Sequence, residues 1–525
     1  MSKFEGLSRR ALLTRASALA AVTLLLPSCS GLAARKGPWG ANPFTLGVAS
    51  GDPLADGAVI WTRLLPFPDE PERTGTDPLI VEWRVATDEG MKNVVRRGSA
   101  LAEPGSSYAV HVELRGLDSA RPYWYQFSVA EEESAIGRFA TMAVPGSPLE
   151  RFRFALASCS HYEQGFFAAY RHMAEDAPDL VLHVGDYIYE SSWGDPVRRH
   201  EGPEPTTLDD YRRRYALYRG DADLQRAHAA APWLYTWDDH EVENDYAADL
   251  SENGDDPALF VKRRSAAYQD CFEHMPLRRS QMLKGLEMRL YQRNLFGDLI
   301  DLHMLDNRQY RSDHACEMPP RRGGASVPAD CPELFDEKRT MLGEEQERMY
   351  LGNLRRSRGT WNVMANGVMF ARLAQTDREG KAVAWNDMWD GYVASRNRIL
   401  KRVEEAKLAN FVTLAGDIHS SWVNELKADF DKPESATLGT EFVCTSISSA
   451  GVPYEQFKAY ADANPHIRHF ESRQRGYTLL TATKETMQAD MRVLDDVKKR
   501  DAAIATLTSY VVEAGKPGAT EVKPG

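Results

Sequence analysis

The sequence predicts an α/β protein, with a β-sandwich at the N-terminus followed by an α/β sandwich. Three observations carry this. Short alternating strand signals fill residues 44–142, strands alternate with helical stretches beyond residue 150, and several later strands end in polar clusters able to bind metal. At 525 residues the chain exceeds one small core, so two domains are expected.

Residues 1–40 read as a targeting segment. Ser8-Arg9-Arg10-Ala11-Leu12-Leu13 precedes an apolar stretch, residues 16–26, that is too short to span a bilayer. The pattern resembles a signal for the twin-arginine translocation machinery, so the chain is expected to be exported to the periplasm, the cell surface or the medium. Leu26-Pro27-Ser28-Cys29 resembles an imperfect lipobox. Cys29 is then either a lipid-anchor site or an incidental cysteine of a cleaved signal.

The first domain is placed at residues 41–145. Its strand signals include Ala58-Val59-Ile60-Trp61, Leu79-Ile80-Val81-Glu82-Trp83-Arg84-Val85 and Tyr123-Trp124-Tyr125-Gln126-Phe127, separated by turns such as Pro104-Gly105-Ser106-Ser107. The late strand resembles that of a fibronectin- or immunoglobulin-like module and carries no chemistry. Two prolines and a glycine in residues 143–148 mark the boundary. Beyond it Phe152, Phe154 and Leu156 alternate as a strand, 164–176 reads as a helix, and 179–184 as a second strand, which makes a βαβ unit. Strands at 233–237, 299–305 and 411–415 and helices at 209–218, 344–355 and 392–406 extend this second domain over residues 150–500. In the C-terminal segment, 501–525, the tail after Val512 is expected to fray.

A formal net charge of −12, with no Lys/Arg-rich block, excludes a nucleic-acid surface. An acidic chain can still act on a phosphate ester where bound cations reverse the local field. The strand ends supply candidates. Ser158-Cys159-Ser160-His161, Gly185-Asp186-Tyr187-Ile188-Tyr189, Asp238-Asp239-His240-Glu241 and Gly416-Asp417-Ile418-His419 each follow an apolar strand. In open α/β sheets ligands sit beyond the carboxyl ends of strands. One such motif alone is more often a turn; four together are hard to explain as turns. Two cations sharing a carboxylate would offset phosphoryl charge and activate a water for in-line attack, which makes Asp186 the bridging candidate. Cys159 and Tyr189 favour a trivalent transition metal on one side, while Asp239, Asn244, Asp417 and His419 supply oxygen and imidazole for the other. Nearby serines are read as caps, not nucleophiles.

Together Ala157-Ser158-Cys159-Ser160, Gly185-Asp186-Tyr187-Ile188-Tyr189-Glu190, Trp237-Asp238-Asp239-His240-Glu241-Val242-Glu243-Asn244-Asp245 and Gly416-Asp417-Ile418-His419-Ser420-Ser421 resemble the PhoD-type alkaline phosphatases of the calcineurin-like metallophosphoesterase superfamily. The entry segment Phe44-Thr45-Leu46-Gly47-Val48-Ala49-Ser50-Gly51-Asp52-Pro53 and Leu305-Asp306-Asn307-Arg308-Gln309-Tyr310-Arg311 extend the likeness. The resemblance implies an exported phosphomonoesterase and phosphodiesterase that uses Fe3+ with Ca2+, on a β-sandwich followed by a metallophosphoesterase domain. It assigns Cys159, Asp186 and Tyr189 to iron, and Asn244, Asp417 and His419 to calcium or phosphate. Asp239 and His240 take the place of the superfamily's Asn-His pair, with His240 assisting the transition state or leaving group. Arg308 is a candidate phosphate clamp or a salt-bridged arginine. His161 echoes the superfamily's Asp-x-His but is left out of the site.

Of the cysteines after Cys29, Cys316 and Cys331 flank a loop that a disulfide could staple, or they are two buried thiols. The expected partner is a small or polymeric phosphate-ester substrate, with the chain a monomer. Two other readings stand beside this one: a phospholipase D-like phosphodiesterase on the same scaffold, and a non-catalytic cell-surface binding protein.

Overall fold

The computed structural model describes residues 39–316 and 322–522. The arginine pair, the apolar stretch and Cys29 lie outside the described residues. Two sheets organise the rest. The larger has ten strands, ordered Lys516–Val522, Ile504–Glu513, Thr486–Leu494, Gly476–Thr483, Arg151–Ala157, Leu180–Val184, Pro232–Thr236, Val48–Leu54, Gly57–Arg63 and Ala109–Glu113. The other has seven, ordered Gln292–Phe296, Ile300–Met304, Trp361–Ala365, Phe411–Ala415, Thr437–Val443, Ser421–Lys427 and Ile467–Glu471. The central strands of each run parallel, so their carboxyl ends share one edge.

Period-two alternation sets the layers. Phe154 and Leu156 point between the sheets, where they join Leu182, Val184 and Leu234 against Ile300, Leu302, Val363 and Leu414. Ala155 and Ala157 point outward beneath the helices Ala168–Glu175, Leu208–Arg219, Ala222–Ala230 and Pro257–His274. On the opposite outer face, Glu344–Leu354 and Val393–Glu405 cover Met364, Phe411 and Val443. The result is helix, sheet, sheet, helix, with the central strands of both sheets buried on both faces. Helix starts follow local chemistry: Thr207 and Asp210 form a capping box, and Asp221 accepts from the N–H groups of Asp223 and Leu224.

In the N-terminal region Leu79–Ala86 lies between Val94–Ala102 and Pro122–Val129. Val81, Val85, Tyr125 and Phe127 from this sheet pack on Ala58, Ile60, Val110 and Val112. Those last four belong to strands of the ten-stranded sheet, because Val48–Leu54 pairs in parallel with Pro232–Thr236 through Ser50↔Pro232 and Gly51↔Trp233. Gly51 permits this approach: a Cβ there would lie 2.5 Å from the Pro276 carbonyl oxygen. One layer of the N-terminal region is therefore a continuation of the larger sheet.

The tail corrects an expectation. From Val512 to Val522 the chain does not fray but turns at Gly515 into Lys516–Val522, which pairs with Ile504–Glu513. Tyr510 and Val512 anchor that hairpin in the inter-sheet core. Cys316 and Cys331 are joined in a disulfide.

Candidate metal centre

The four predicted strand ends meet at one pole, three from the ten-stranded sheet and Phe411–Ala415 from the seven-stranded one. At that pole the backbone leaves extended geometry abruptly. Cys159, Asp186, Asp417 and His419 have φ of 61°, 56°, 63° and 51°, the left-handed region that non-glycine residues seldom occupy and that costs about 1 kcal/mol or more each. The turns are held by cross-strand bonds. The Cys159 N–H donates to Gly185 O (3.2 Å) and the Ser160 N–H to Asp186 O (2.8 Å). Glu241, fully buried, accepts from the N–H groups of Asp186 (3.1 Å), Tyr187 (2.6 Å) and Asp238 (2.9 Å), so one carboxylate ties two neighbouring strand ends together. The sheets close up here only because residue 416 is glycine: a Cβ would fall 2.4 Å from Ser158 Oγ.

Ligand atoms of Cys159, Asp186 and His419 lie within 4.8 Å of one another, as do those of Asp186, Asp239 and His240. Asp186 is common to both groups. Tyr189 belongs with the first: its hydroxyl lies 2.9 Å from Asp186 Oδ2 and 3.0 Å from His419 Nε2. His419 Nδ1 donates to the Ala450 carbonyl (2.8 Å), which leaves the Nε2 lone pair facing the pocket. The donor set fits a cation: thiol, phenol, imidazole and carboxylate together suit a transition metal, and Asp186 Oδ1 is buried with no hydrogen-bond partner among the described residues. Burial raises Asp186 well above the usual carboxylate range, Asp239, Asp238 and Glu241 add to the shift, and His240 opposes it. Burial also raises Cys159 and Tyr189, with the Asp186 charge adding in each case.

On the second side, His240 Nδ1 donates to Glu190 Oε2 (2.8 Å). Burial disfavours its charge, but Glu190, Asp239 and Asp186 outweigh that and hold the imidazole well above its ordinary pKa. Asp239 accepts at Oδ2 from the Asp245 N–H (2.7 Å). Asn244 donates its side-chain N–H to Glu252 (2.9 Å), so Oδ1 is the atom it has left to offer. The Asp417 carboxylate is not in either close group; burial raises it well above its normal range, and the charges of Asp238, Asp239 and Asp387 add to that.

Arg308 is corrected from phosphate clamp to internal brace. It has no exposed surface, its Nε donates to Asp238 (2.5 Å), and Nη1 and Nη2 grip Asp387 at 2.8 and 2.9 Å. With no surface exposed, Arg308 presents nothing to a substrate. Asp387 also takes Arg311 Nη2 and His314 Nε2, each at 2.7 Å, so a buried ionic cluster backs the metal-competent side chains. Sequence reading missed Glu190, Glu241 and Asp387. The first two lie inside quoted motifs but look like ordinary surface acids, and Asp387 is 70 or more positions from its partners. Ser449, which donates to Cys159 O and whose hydroxyl also lies 2.9 Å from Tyr189 Oη, left no signal at all.

Residues 154–491 match the family model described as PhoD-like phosphatase, and residues 31–143 match PhoD-like phosphatase, N-terminal domain. Alkaline phosphatase D of Bacillus subtilis (strain 168) is 43% identical over 491 residues, which span 91% of this chain and 82% of that protein. A solved structure titled Structure of PhoD is 40% identical, covers 93% of this chain and 94% of its own, and superposes with a TM-score of 0.88.

Proposed function

Because the chain belongs to the PhoD-like phosphatase family and is a phosphoester hydrolase, we propose that it cleaves phosphomonoesters and phosphodiesters at the pole formed by Cys159, Asp186, Tyr189, Asp239, His240, Asp417 and His419. The observation that carries the site is Asp186, which belongs to two groups of ligand atoms at once. Cys159 and Tyr189 beside it suit ferric iron, and so does His419, which groups with Cys159 and Asp186 and not with the calcium ligands where the family resemblance puts it; Asp239, Asn244 and Asp417 suit calcium. Cations held there would offset charge on the phosphoryl oxygens and lower the pKa of a nearby water.

The chain's own groups have distinct tasks. Asp186 supplies a carboxylate to both sides. The Ala450 carbonyl holds His419 in the tautomer whose Nε2 accepts. Glu190 keeps a proton on His240, which is then poised to give it to the departing alkoxide. Arg308 and Asp387 hold Asp238 and Asp239 from behind and never touch substrate. The N-terminal sheets are proposed to be a fibronectin- or immunoglobulin-like support, and the Arg9-Arg10 segment an export signal.

Metal analysis of the purified protein, alongside hydrolysis of a chromogenic monoester and its diester, tests the reading. Iron and calcium bound per chain, with turnover abolished by chelation, are expected. Equal turnover after complete metal removal would sink it.

A further inference from the structure

Two loops wall the pole, and a single buried amide stands between them. One loop carries Ala450, whose carbonyl orients His419. The other carries Trp193, 40% exposed, whose indole stacks on the His240 ring with centroids 5.2 Å apart and planes 28° from parallel. Gln164 is only 4% exposed. Its Oε1 accepts from the Ala450 N–H at 2.7 Å, and its Nε2 donates to the Trp193 carbonyl at 3.0 Å. Because an N–H must meet an acceptor and a C=O a donor, the two bonds permit one amide orientation only. Gly194, with φ 81°, lets the second loop settle against that amide: a Cβ there would meet Gln164 Nε2 at 3.0 Å.

The neighbouring residue reinforces the seat. The Glu163 carbonyl accepts from the Val197 N–H (2.7 Å), and Glu163 Oε1 from the His200 N–H (2.8 Å). The loop that carries Trp193 is thus anchored at three points on residues 163 and 164. Of these two residues, Gln164 also reaches the His419 side through Ala450, alongside His161, whose ring packs on Trp193 and whose backbone bonds Ser448 and Ser449.

We infer that Gln164 is a positioning residue for ester hydrolysis, bracing the Trp193 wall over His240 against the loop that orients His419. The inference rests on the proposed phosphoesterase reading. Gln164 touches neither reacting atoms nor ligand atoms; it acts through Trp193 and through Ala450. Trp193 stacks on His240, packs edge-on against His161 and Tyr189 with centroids 4.4 and 5.3 Å away, and keeps 40% of its surface exposed beside the pole.

The test is a cycle of Gln164→Met, Trp193→Ala and the double variant, assayed on a chromogenic aryl phosphate, with bound metal per chain and thermal unfolding measured on each. Trp193→Ala in the wild-type background should raise KM by about ten-fold with little change in kcat. Gln164→Met should raise KM by a similar factor and also lower kcat by about ten-fold, with less metal retained through the His419 branch. Adding Trp193→Ala to Gln164→Met should then change KM by less than about two-fold, because the wall is already loose. A Trp193→Ala penalty of the same size in both backgrounds overturns the inference, as does wild-type kcat, KM and metal content in Gln164→Met. If Gln164→Met does not fold, Gln164→Ala replaces it, and failure of both to fold makes Gln164 a structural residue and ends the proposal. An inactive wild-type protein would instead defeat the phosphoesterase reading itself.

Discussion

The core under the N-terminal strands and the pole of the two large sheets are built from the same alternating strands, yet they hold free energy in opposite ways. Val81, Val85, Tyr125, Phe127 and Phe139 fill the first with apolar surface in extended backbone. The second gathers Asp186, Asp238, Asp239, Asp387 and Arg308 in near-complete burial, and puts Cys159, Asp186, Asp417 and His419 in left-handed backbone. Apolar burial stabilises without any partner, whereas buried charge and strain persist only where surrounding structure over-determines them. Stability is therefore made in the first region and spent in the second, where chemistry needs charge held in fixed places.

Breaking each region should give opposite signatures. The largest effect belongs to Asp186→Ala, which is expected to cut hydrolysis of a chromogenic ester by about 10³-fold or more while leaving the unfolding temperature unchanged or higher. An unfolding temperature that drops sharply would show Asp186 to be structural. Arg308→Ala leaves Asp238 and Asp387 buried without their cation, and should lower the unfolding free energy in urea by about 3–5 kcal/mol. Phe127→Ala, fully buried in the N-terminal core, should cost about 3 kcal/mol, with kcat and bound metal of the folded fraction kept within about two-fold of wild type.

The gentlest probe is acid. Burial raises the Asp387 carboxyl, but Arg308, Arg311 and His314 outweigh it and hold the group well below its ordinary value. A depressed carboxyl contributes stability above the unfolded-state pKa of about 3.9, and that contribution disappears as pH falls through the folded value. The urea midpoint of wild type should therefore fall more steeply between pH 5 and pH 3 than that of Asp387→Asn, which lacks the titrating group. Equal slopes would mean that Asp387 does not carry the charge ascribed to it.

Legibility followed the range of the forces involved. Strands at 152–156, 180–184 and 411–415, with the polar turns after them, were readable because alternation and turn chemistry act within a few residues. The same turns exposed Cys159, Asp186 and His419, whose meeting needs only that parallel strands end at one edge. Arg308 was not legible in this way. An arginine in Asp306-Asn307-Arg308 looks the same whether it faces substrate or Asp387, and 79 residues of chain separate it from that carboxylate. The tail beyond Val512 misled for a related reason: its Lys, Gly and Pro content signals fraying, while its stability comes from pairing with Ile504–Glu513 and from a core built elsewhere.

By itself the sequence determined the order of strands and helices, the polar turn at each strand end, and the kinds of ligand atom available, since all of these depend on neighbours in the chain. Tertiary structure decided which side chains share a pocket, that Val48–Leu54 extends the larger sheet, that Arg308 faces inward, and that Gln164 bridges two loops. Those outcomes depend on contacts across tens to hundreds of residues, where the direction of a side chain is set by what packs against it and not by the residues beside it in sequence.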